Sequence, residues 1–215
     1  MQAYVRDPDE IYRLSAARIR AEADLFELPA DLHSTAIRIV HACGMPDVVA
    51  DLAFSPDVAG AARAALAKGA PILVDSEMVS HGIIRRRLHG NTVVCTLHDP
   101  VTPGLARGKR TTRSAAAVEL WRERMGGAVV AIGNAPTALF HLLELIADGA
   151  PRPAAILAFP VGFVGAAESK EALVHHASGI PYLTLHGRRG GSAMAAAAVN
   201  ALSGPPEDGL TDALT

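Results

Sequence analysis

The fold of this 215-residue chain is decided by the stretch AVVAIGNAPT at residues 128–137. Its first five residues are apolar, which predicts a strand buried on both faces, as in a parallel sheet covered by helices. The turn sequence Gly133-Asn134-Ala135 follows, and Pro136 stands where the first turn of a helix accepts proline. The stretch therefore predicts a strand, a tight turn and a helix start, the local pattern of an α/β protein.

The same pattern occurs at four other places in the chain. The further apolar runs are residues 72–74, 92–95, 154–159 and 182–185, and further helices are predicted from about Ser76, Thr112, Glu168 and Ser192. Five strands alternating with helices predict a doubly wound α/β sheet, mainly parallel and flavodoxin-like. The first third of the chain has helical periodicity, so additional N-terminal helices are expected.

Composition narrows the classes of protein that fit. Half of the residues are hydrophobic and 20% are charged, which favours one globular domain, here residues 1–203, with a flexible tail at 204–215. A net charge of -2 gives no general attraction for nucleic acid or an anionic membrane, and neither is expected as a partner. The charged N-terminus does not resemble a signal peptide, and Cys43 and Cys95 fit free thiols, so a cytoplasmic location is expected.

Two basic segments follow predicted strands. Residues 107–113 lie in a predicted loop, 101–113, and contain Arg107, Lys109, Arg110 and Arg113, with Thr112 placed to cap the next helix. Arg188-Arg189-Gly190-Gly191-Ser192 repeats this arrangement after the fifth strand. Guanidinium groups at the carboxyl edge of a sheet suit a polyanionic ligand, and the alternative is a solvated basic surface.

Motifs for common cofactors are missing from the sequence. There is no dinucleotide fingerprint after the first strand, no Walker lysine and no H-E-x-x-H spacing, so neither a cofactor nor a metal is expected. His41 lies three residues after Arg38 on one predicted helix face. A helical histidine is more often a structural group, but an imidazole beside an arginine can also exchange protons near neutral pH. Periodicity alone does not single out Ser15.

Six blocks of sequence, taken together, carry a family resemblance. They are RIVHACG at 38–44, APILVDSEMV at 70–79, TRSAAA at 112–117, AIGNAPTALF at 131–140, PVGFVGAAESK at 160–170 and GGSAM at 190–194. In this order they resemble the signature blocks of precorrin-8X methylmutase, over about residues 4–202. Each block alone is weak evidence, whereas the ordered combination is specific.

The resemblance implies an isomerase of cobalamin biosynthesis. It would move a methyl group from C11 to C12 of precorrin-8X to give hydrogenobyrinic acid, without a redox or metal cofactor. The resemblance implies that His41 is the proton donor and acceptor and that Ser15, Arg38 and Arg113 contact the substrate. The basic segments add Thr112 and Ser192 to this binding set, because the substrate is a polycarboxylate tetrapyrrole. A homodimer with sites near the subunit interface is also implied.

Other functions stay open at this point. A close variant acts on cobalt-precorrin-8, and a protein on this fold can also hold a tetrapyrrole or a flavin without transforming it. A nucleotide enzyme on the same fold has no motif of its own here. The Arg85-Arg86-Arg87 run and the His175-His176 pair are not explained by the resemblance.

Overall fold

The structure is a computed structural model that describes residues 4–177 and 179–204. Its strands are β1 (Leu52–Phe54), β2 (Ile72–Val74), β3 (Val93–Cys95), β4 (Val129–Ile132), β5 (Ala155–Ala158) and β6 (Tyr182–Leu185). Its helices are α1 (Pro8–Glu22), α2 (Ala30–Cys43), α3 (Val58–Ala67), α4 (Glu77–Gly82), α5 (Thr102–Lys109), α6 (Arg113–Glu119), α7 (Pro136–Ala147), α8 (Ala166–His176) and α9 (Ser192–Leu202). Within these described ranges, no helix is long and apolar enough to cross a bilayer. Most of the predicted tail, residues 205–215, lies outside the described part.

The strands form one sheet in the order β1-β6-β5-β4-β2-β3. Strands β2 to β6 are parallel to one another, and β1 pairs antiparallel with β6. Without β1 the order is that of a flavodoxin-like, doubly wound sheet, which confirms the predicted fold class. The predicted number of five strands is wrong by one, since β1 was missed. Its three residues are apolar but only half-buried, and they form a strand through antiparallel pairing with β6, which is distant in the sequence.

Both faces of the sheet are covered by helices. Along β4, Val129 and Ala131 pack on the face covered by α2, α3 and α9, with residues of α1 at its margin. Val130 and Ile132 pack on the other face, against α6, α7 and α8. Burying one such side chain contributes about 1.5–3 kcal/mol, which is why these short strands are almost wholly apolar. The N-terminal helices therefore belong to the core of the same unit.

The start of α9 lies very close to the turn after β4. A Cβ atom added at Gly133 would lie 2.6 Å from the Cα atom of Ser192 and 2.8 Å from Val79 Cγ2. Only glycine fits at that distance, because the neighbouring atom is backbone and cannot rotate away. Gly133 thus places the N-terminal end of α9 directly over the carboxyl ends of β2 and β4.

The segment 101–113 differs from its prediction as a loop. Residues Thr102–Lys109 form α5, which ends where Arg110 adopts a left-handed conformation with φ 51°. Gly104 and Gly108 are poor helix formers, which explains why the sequence indicated a loop. Arg107 and Lys109 therefore lie in the last turn of α5, Arg110 follows that helix and Arg113 begins α6.

Candidate active site

The centre of the candidate site is a histidine and serine pair contributed by two helices. The Oγ atom of Ser15, on α1, lies 3.0 Å from Nδ1 of His41, near the end of α2. The α2 helix ends at Cys43, because the next residue, Gly44, adopts the left-handed conformation that terminates helices. The ring of Tyr12 lies 5.9 Å from the imidazole, centre to centre. These contacts hold the imidazole between α1 and its own helix.

The electrostatic surroundings favour a neutral His41. Partial burial lowers the pKa of His41 below its usual 6.5, and the positive charge of Arg38 lowers it further. Both effects disfavour the imidazolium, so its proton is more acidic than that of an exposed histidine. The hydroxyl of Ser15 can donate to Nδ1 or accept from it, so the pair tolerates both protonation states.

Two clefts meet at His41. The larger has a volume of about 480 Å³ and runs along α1, where Ser15, Arg18 and Glu22 line it beside apolar residues. The smaller, of about 240 Å³, is lined by Arg38, Ala193 and Asn200 among others. His41 lines both clefts, so the structure brings His41, Ser15 and Arg38 together, as expected from the resemblance.

Ser192 lies at the start of α9, next to the cleft residue Ala193. Its side chain is buried, and its Oγ atom lies 3.3 Å from Oγ of Ser76, which follows β2. Ser76 also caps α4 by accepting from the N–H of Val79. The contact with Ser76 therefore holds the start of α9 in place, while the next residue, Ala193, lines the cleft that His41 also lines.

The carboxylate of Asp75 fills the crevice between the ends of β2 and β4. It accepts three backbone N–H bonds, from Gly133 at 2.9 Å, Asn134 at 2.9 Å and Ala135 at 2.8 Å. Burial raises the pKa of Asp75, while the three donors act in the opposite direction. This crevice is where ligands bind in many doubly wound sheets, and here a side chain of the protein occupies it.

Thr112 and Arg113 lie at the start of α6, near the end of β3. Thr112 caps the helix at Ala115 and also contacts Thr137 Oγ1 at 2.8 Å. Arg113 is exposed, and its Nη2 atom lies 3.0 Å from His98 Nδ1 and donates to the Leu97 carbonyl. Among the described residues, no hydrogen bond or ion pair joins either residue to His41. Their binding role stays a prediction.

The loop between β6 and α9 is held by internal contacts. Arg189 forms ion pairs with Asp47 and Asp51, which follow α2. The buried ammonium of Lys170 donates to the Arg189 carbonyl at 2.6 Å, and burial lowers the pKa of Lys170 to about 8. Gly190 has no room for a side chain, because a Cβ atom would lie 2.3 Å from the Phe159 carbonyl oxygen.

Two basic side chains of the predicted anion-binding segments have internal partners, while the binding of a polyanion by these segments stays a prediction. Arg189 is engaged by two aspartates, and Lys109 lies 2.8 Å from Glu119 Oε2. That carboxylate also contacts His141, and these partners lower the pKa of Glu119 to about 2. By contrast, the Arg188 guanidinium is exposed and lies 5.1 Å from the centre of the Phe163 ring.

The two sequence features left without an explanation have mainly structural contacts. Arg85 donates to Ser80, and Arg87 donates to the Asn200 carbonyl near the end of α9. His175 lies on exposed α8 surface, 3.7 Å from Glu171. In residues 4–177 and 179–204, no group of three or more His, Cys, Asp or Glu side chains could hold a metal ion.

Sequence reasoning missed the structural roles of three residues that shape this region: Asp75, Lys170 and Arg189. Asp75 directly follows a buried strand, which is a weak signal for a buried charge. Lys170 lies between Ser169 and Glu171, a polar stretch of α8 that indicates an exposed side chain. For the ion pairs of Arg189 no sequence signal was available, because its aspartate partners lie about 140 residues earlier in the chain.

The fold and this cleft define a doubly wound α/β enzyme whose candidate general acid or base lies on an added N-terminal helix. Residues 10–204 match the family model described as precorrin-8X methylmutase, and the chain belongs to that family. It is therefore an isomerase of cobalamin biosynthesis, as the sequence blocks indicated.

Individual relatives agree with this family. A precorrin-8X methylmutase of Pseudomonas aeruginosa is 61% identical over 201 residues, covering 93% of this chain and 97% of the relative. One from Sinorhizobium sp. is 59% identical over 203 residues, with 94% and 97% covered. The cobalt-precorrin-8 methylmutase of Salmonella typhimurium is 37% identical, with 93% and 96% covered. A crystal structure of a precorrin-8X methylmutase from Thermus thermophilus superposes with a TM-score of 0.81 at 36% identity, covering 90% of this chain and 95% of the other.

Proposed function

We propose that His41 donates and accepts the proton that allows a methyl group to move from C11 to C12 of precorrin-8X. The Ser15–His41 hydrogen bond, at a point where two clefts meet, is the observation that carries this proposal. Protonation of the macrocycle lowers the barrier to a methyl shift, and return of the proton to His41 completes the isomerisation to hydrogenobyrinic acid. The histidine is unchanged after each turnover.

The lowered pKa of His41 fits this role. A polycarboxylate bound beside His41 supplies negative charge, which favours the imidazolium and opposes the effect of Arg38. Substrate binding then raises the protonated fraction of His41 at the moment when a proton is needed. We expect kcat/KM, which reports the free enzyme, to fall with rising pH at a value below 6.5, and kcat to fall at a higher pH.

Further residues of the proposed site bind the substrate carboxylates. Arg38 lies in the smaller cleft, while Thr112, Arg113 and Ser192 lie along the carboxyl edge of the sheet. A wide tetrapyrrole with carboxylates around its rim needs cationic groups distributed over such an area. The guanidinium of Arg113 and the hydroxyl of Ser15 would donate hydrogen bonds to these carboxylates.

The experiment compares His41→Ala and Ser15→Ala with the wild-type protein, by following the conversion of precorrin-8X through its visible spectrum. Loss of a general acid lowers rates by a factor of about 10² to 10⁴, so we expect His41→Ala to lower the conversion rate by at least about 100-fold. Ser15→Ala should lower the conversion rate by a smaller factor, because the imidazole of His41 remains. His175→Ala is the matched control, since His175 is 68% exposed on α8. A near wild-type rate for His41→Ala would show that the proton comes from another group.

Two alternatives have distinct outcomes in the same experiment. A carrier binds pigment without a spectral change, and its binding is unaffected by His41→Ala. An enzyme for cobalt-precorrin-8 turns over the cobalt substrate faster than the metal-free one. We propose the metal-free substrate, because the relatives at 59% and 61% identity are named for it.

We also propose that the chain acts in the cytoplasm as a homodimer. Phe163 and Val164 are neighbouring apolar side chains, each 88% exposed, as is common on surfaces that a partner covers. Light scattering should give twice the 22.4 kDa mass of one chain. A monomer at assay concentrations would refute the dimer and leave the chemistry at His41 unaffected.

A further inference from the structure

We propose that Arg18 binds a substrate carboxylate in the larger cleft and thereby sets the affinity of the site for its polyanionic substrate. The inference rests on the proposed function, since it assumes that the substrate lies against His41. It assigns a second cationic contact to the site, in the larger cleft, whereas Arg38 lines the smaller one.

The position of Arg18 follows from helix geometry. Arg18 comes three residues after Ser15 on α1, and residues at this spacing share one face of a helix. Both line the cleft of about 480 Å³ that His41 also lines. A ligand that reaches His41 through this cleft therefore passes within reach of the Arg18 side chain, which is long and exposed.

The charge of Arg18 is not used within the described part of the chain. Arg13, five residues earlier, pairs with Glu10, whereas Arg18 has neither an ion pair nor a hydrogen bond to any described residue. The neighbouring cleft walls are apolar, formed by Ile11, Leu14 and Val40 among others. An unpaired guanidinium on apolar walls attracts anions more strongly than the same group on an open polar surface.

The arrangement suits a ligand with several carboxylates. Arg38 lines the smaller cleft and Arg18 the larger one, and His41 lies where the two meet. A macrocycle that lies against His41 can thus place one rim carboxylate against the guanidinium in each cleft. Each contact is made in the ground state and in the transition state alike, because the rim carboxylates do not react. Arg18 should therefore affect KM and leave kcat unchanged.

Glu22 provides a test of whether the charge of a side chain in the larger cleft determines KM. It follows Arg18 by four residues and lines the same cleft. Its carboxylate repels an anionic substrate, so its removal should act opposite to the removal of Arg18. If these side chains only stabilised α1, both substitutions would change the melting temperature and neither would change KM in a charge-dependent direction.

The experiment measures kcat and KM for Arg18→Gln, Arg18→Lys and Glu22→Gln on precorrin-8X. We expect KM to rise about tenfold in Arg18→Gln with kcat within about twofold, and Arg18→Lys to recover most of the affinity. Glu22→Gln should lower KM. Arg13→Gln is the matched control, because Arg13 is 69% exposed on the same helix and does not line the cleft. The difference between Arg18→Gln and wild type should shrink when salt is raised from about 0.05 M to 0.5 M.

The results separate this inference from the proposed function. An unchanged KM in Arg18→Gln, together with a His41→Ala protein that is inactive, overturns the role of Arg18 and retains the site. Full activity of His41→Ala overturns the site itself. A rise in KM for Arg13→Gln equal to that for Arg18→Gln also overturns the inference, because it would reflect the net charge of α1 alone.

Discussion

Substitution of Gly133 by alanine should disturb the start of α9 more than any change on the surface of the sheet edge. The added Cβ would lie 2.6 Å from Ser192 Cα, 2.8 Å from Val79 Cγ2 and 2.9 Å from Ala195 Cβ. Since ordinary carbon contacts begin near 3.4 Å, the backbone of α9 has to move by about 0.8 Å. That movement separates Ser192 from Ser76 and shifts Ala193 in the cleft beside His41.

The expected magnitude follows from overpacking. Extra methyl groups in tight cores usually lower the free energy of unfolding by about 1–3 kcal/mol. Because the added Cβ would clash with one backbone atom and two side chains, we expect a loss of about 3 kcal/mol. For a chain of this size, each kcal/mol lowers Tm by about 2–4 °C, so we expect a decrease of roughly 6–12 °C. Thermal unfolding followed by circular dichroism measures it. The isomerase rate at 25 °C should fall as well, because the cleft changes shape.

Gly60→Ala is the matched control. Gly60 is exposed in α3 with nothing within 4 Å of an added Cβ, so the same substitution should raise stability by up to about 1 kcal/mol. A Gly133→Ala protein with an unchanged Tm would refute the close approach of α9 to the β4 turn. Equal decreases in both variants would show that the loss comes from glycine replacement in general.

Three further predictions concern charged and thiol groups. Asp75→Asn should lower Tm by roughly 4–8 °C, because the amide turns a donor toward one of the three backbone N–H groups, which costs about 2 kcal/mol. Calorimetry measures this change. An unchanged Tm would contradict the three hydrogen bonds to the Asp75 carboxylate, here called the Asp75 clamp. Glu119 has a pKa near 2 in the folded protein against 4.5 in an ordinary glutamate, so its contribution to stability is complete above 4.5 and is lost as pH falls toward 2. The Tm difference between wild type and Glu119→Gln should therefore be larger at pH 7 than at pH 3, and a constant difference would argue against the ion pairs with Lys109 and His141. Burial raises the pKa of Cys95 to about 11, so alkylation by iodoacetamide at pH 8 should be much slower in native than in denatured protein, and equal rates would contradict its burial.

The sequence predicted those parts of the fold that local patterns control. Each parallel strand is a short apolar run, because both faces of the sheet are covered, and such runs stand out in the sequence. Strand β1 did not stand out, since its place at the edge depends on antiparallel pairing with β6, about 130 residues later in the chain. Helix α5 was hidden by its two glycines, and its folded form depends on packing against α6.

The candidate site was harder to derive from residues alone. His41 and Arg38 share a helix face and could be recognised as a pair, whereas Ser15 was found only through the family resemblance. The contact between Ser15 and His41 spans 26 residues and depends on how α1 packs on α2. The roles of Arg189 and Lys170 depend on partners from distant elements, so composition alone indicated a free basic segment where the structure has an internal network.

The Asp75 clamp makes the protein resemble a receptor that carries its own tethered ligand. A carboxylate fixed one residue after β2 has an effective concentration at the three N–H groups far above that of a free anion in solution. A phosphate or carboxylate arriving at this crevice must compete with a group that never diffuses away. If this fold were selected to bind a new anionic ligand in the crevice, Asp75 would have to be replaced first, because only its replacement frees the three N–H donors.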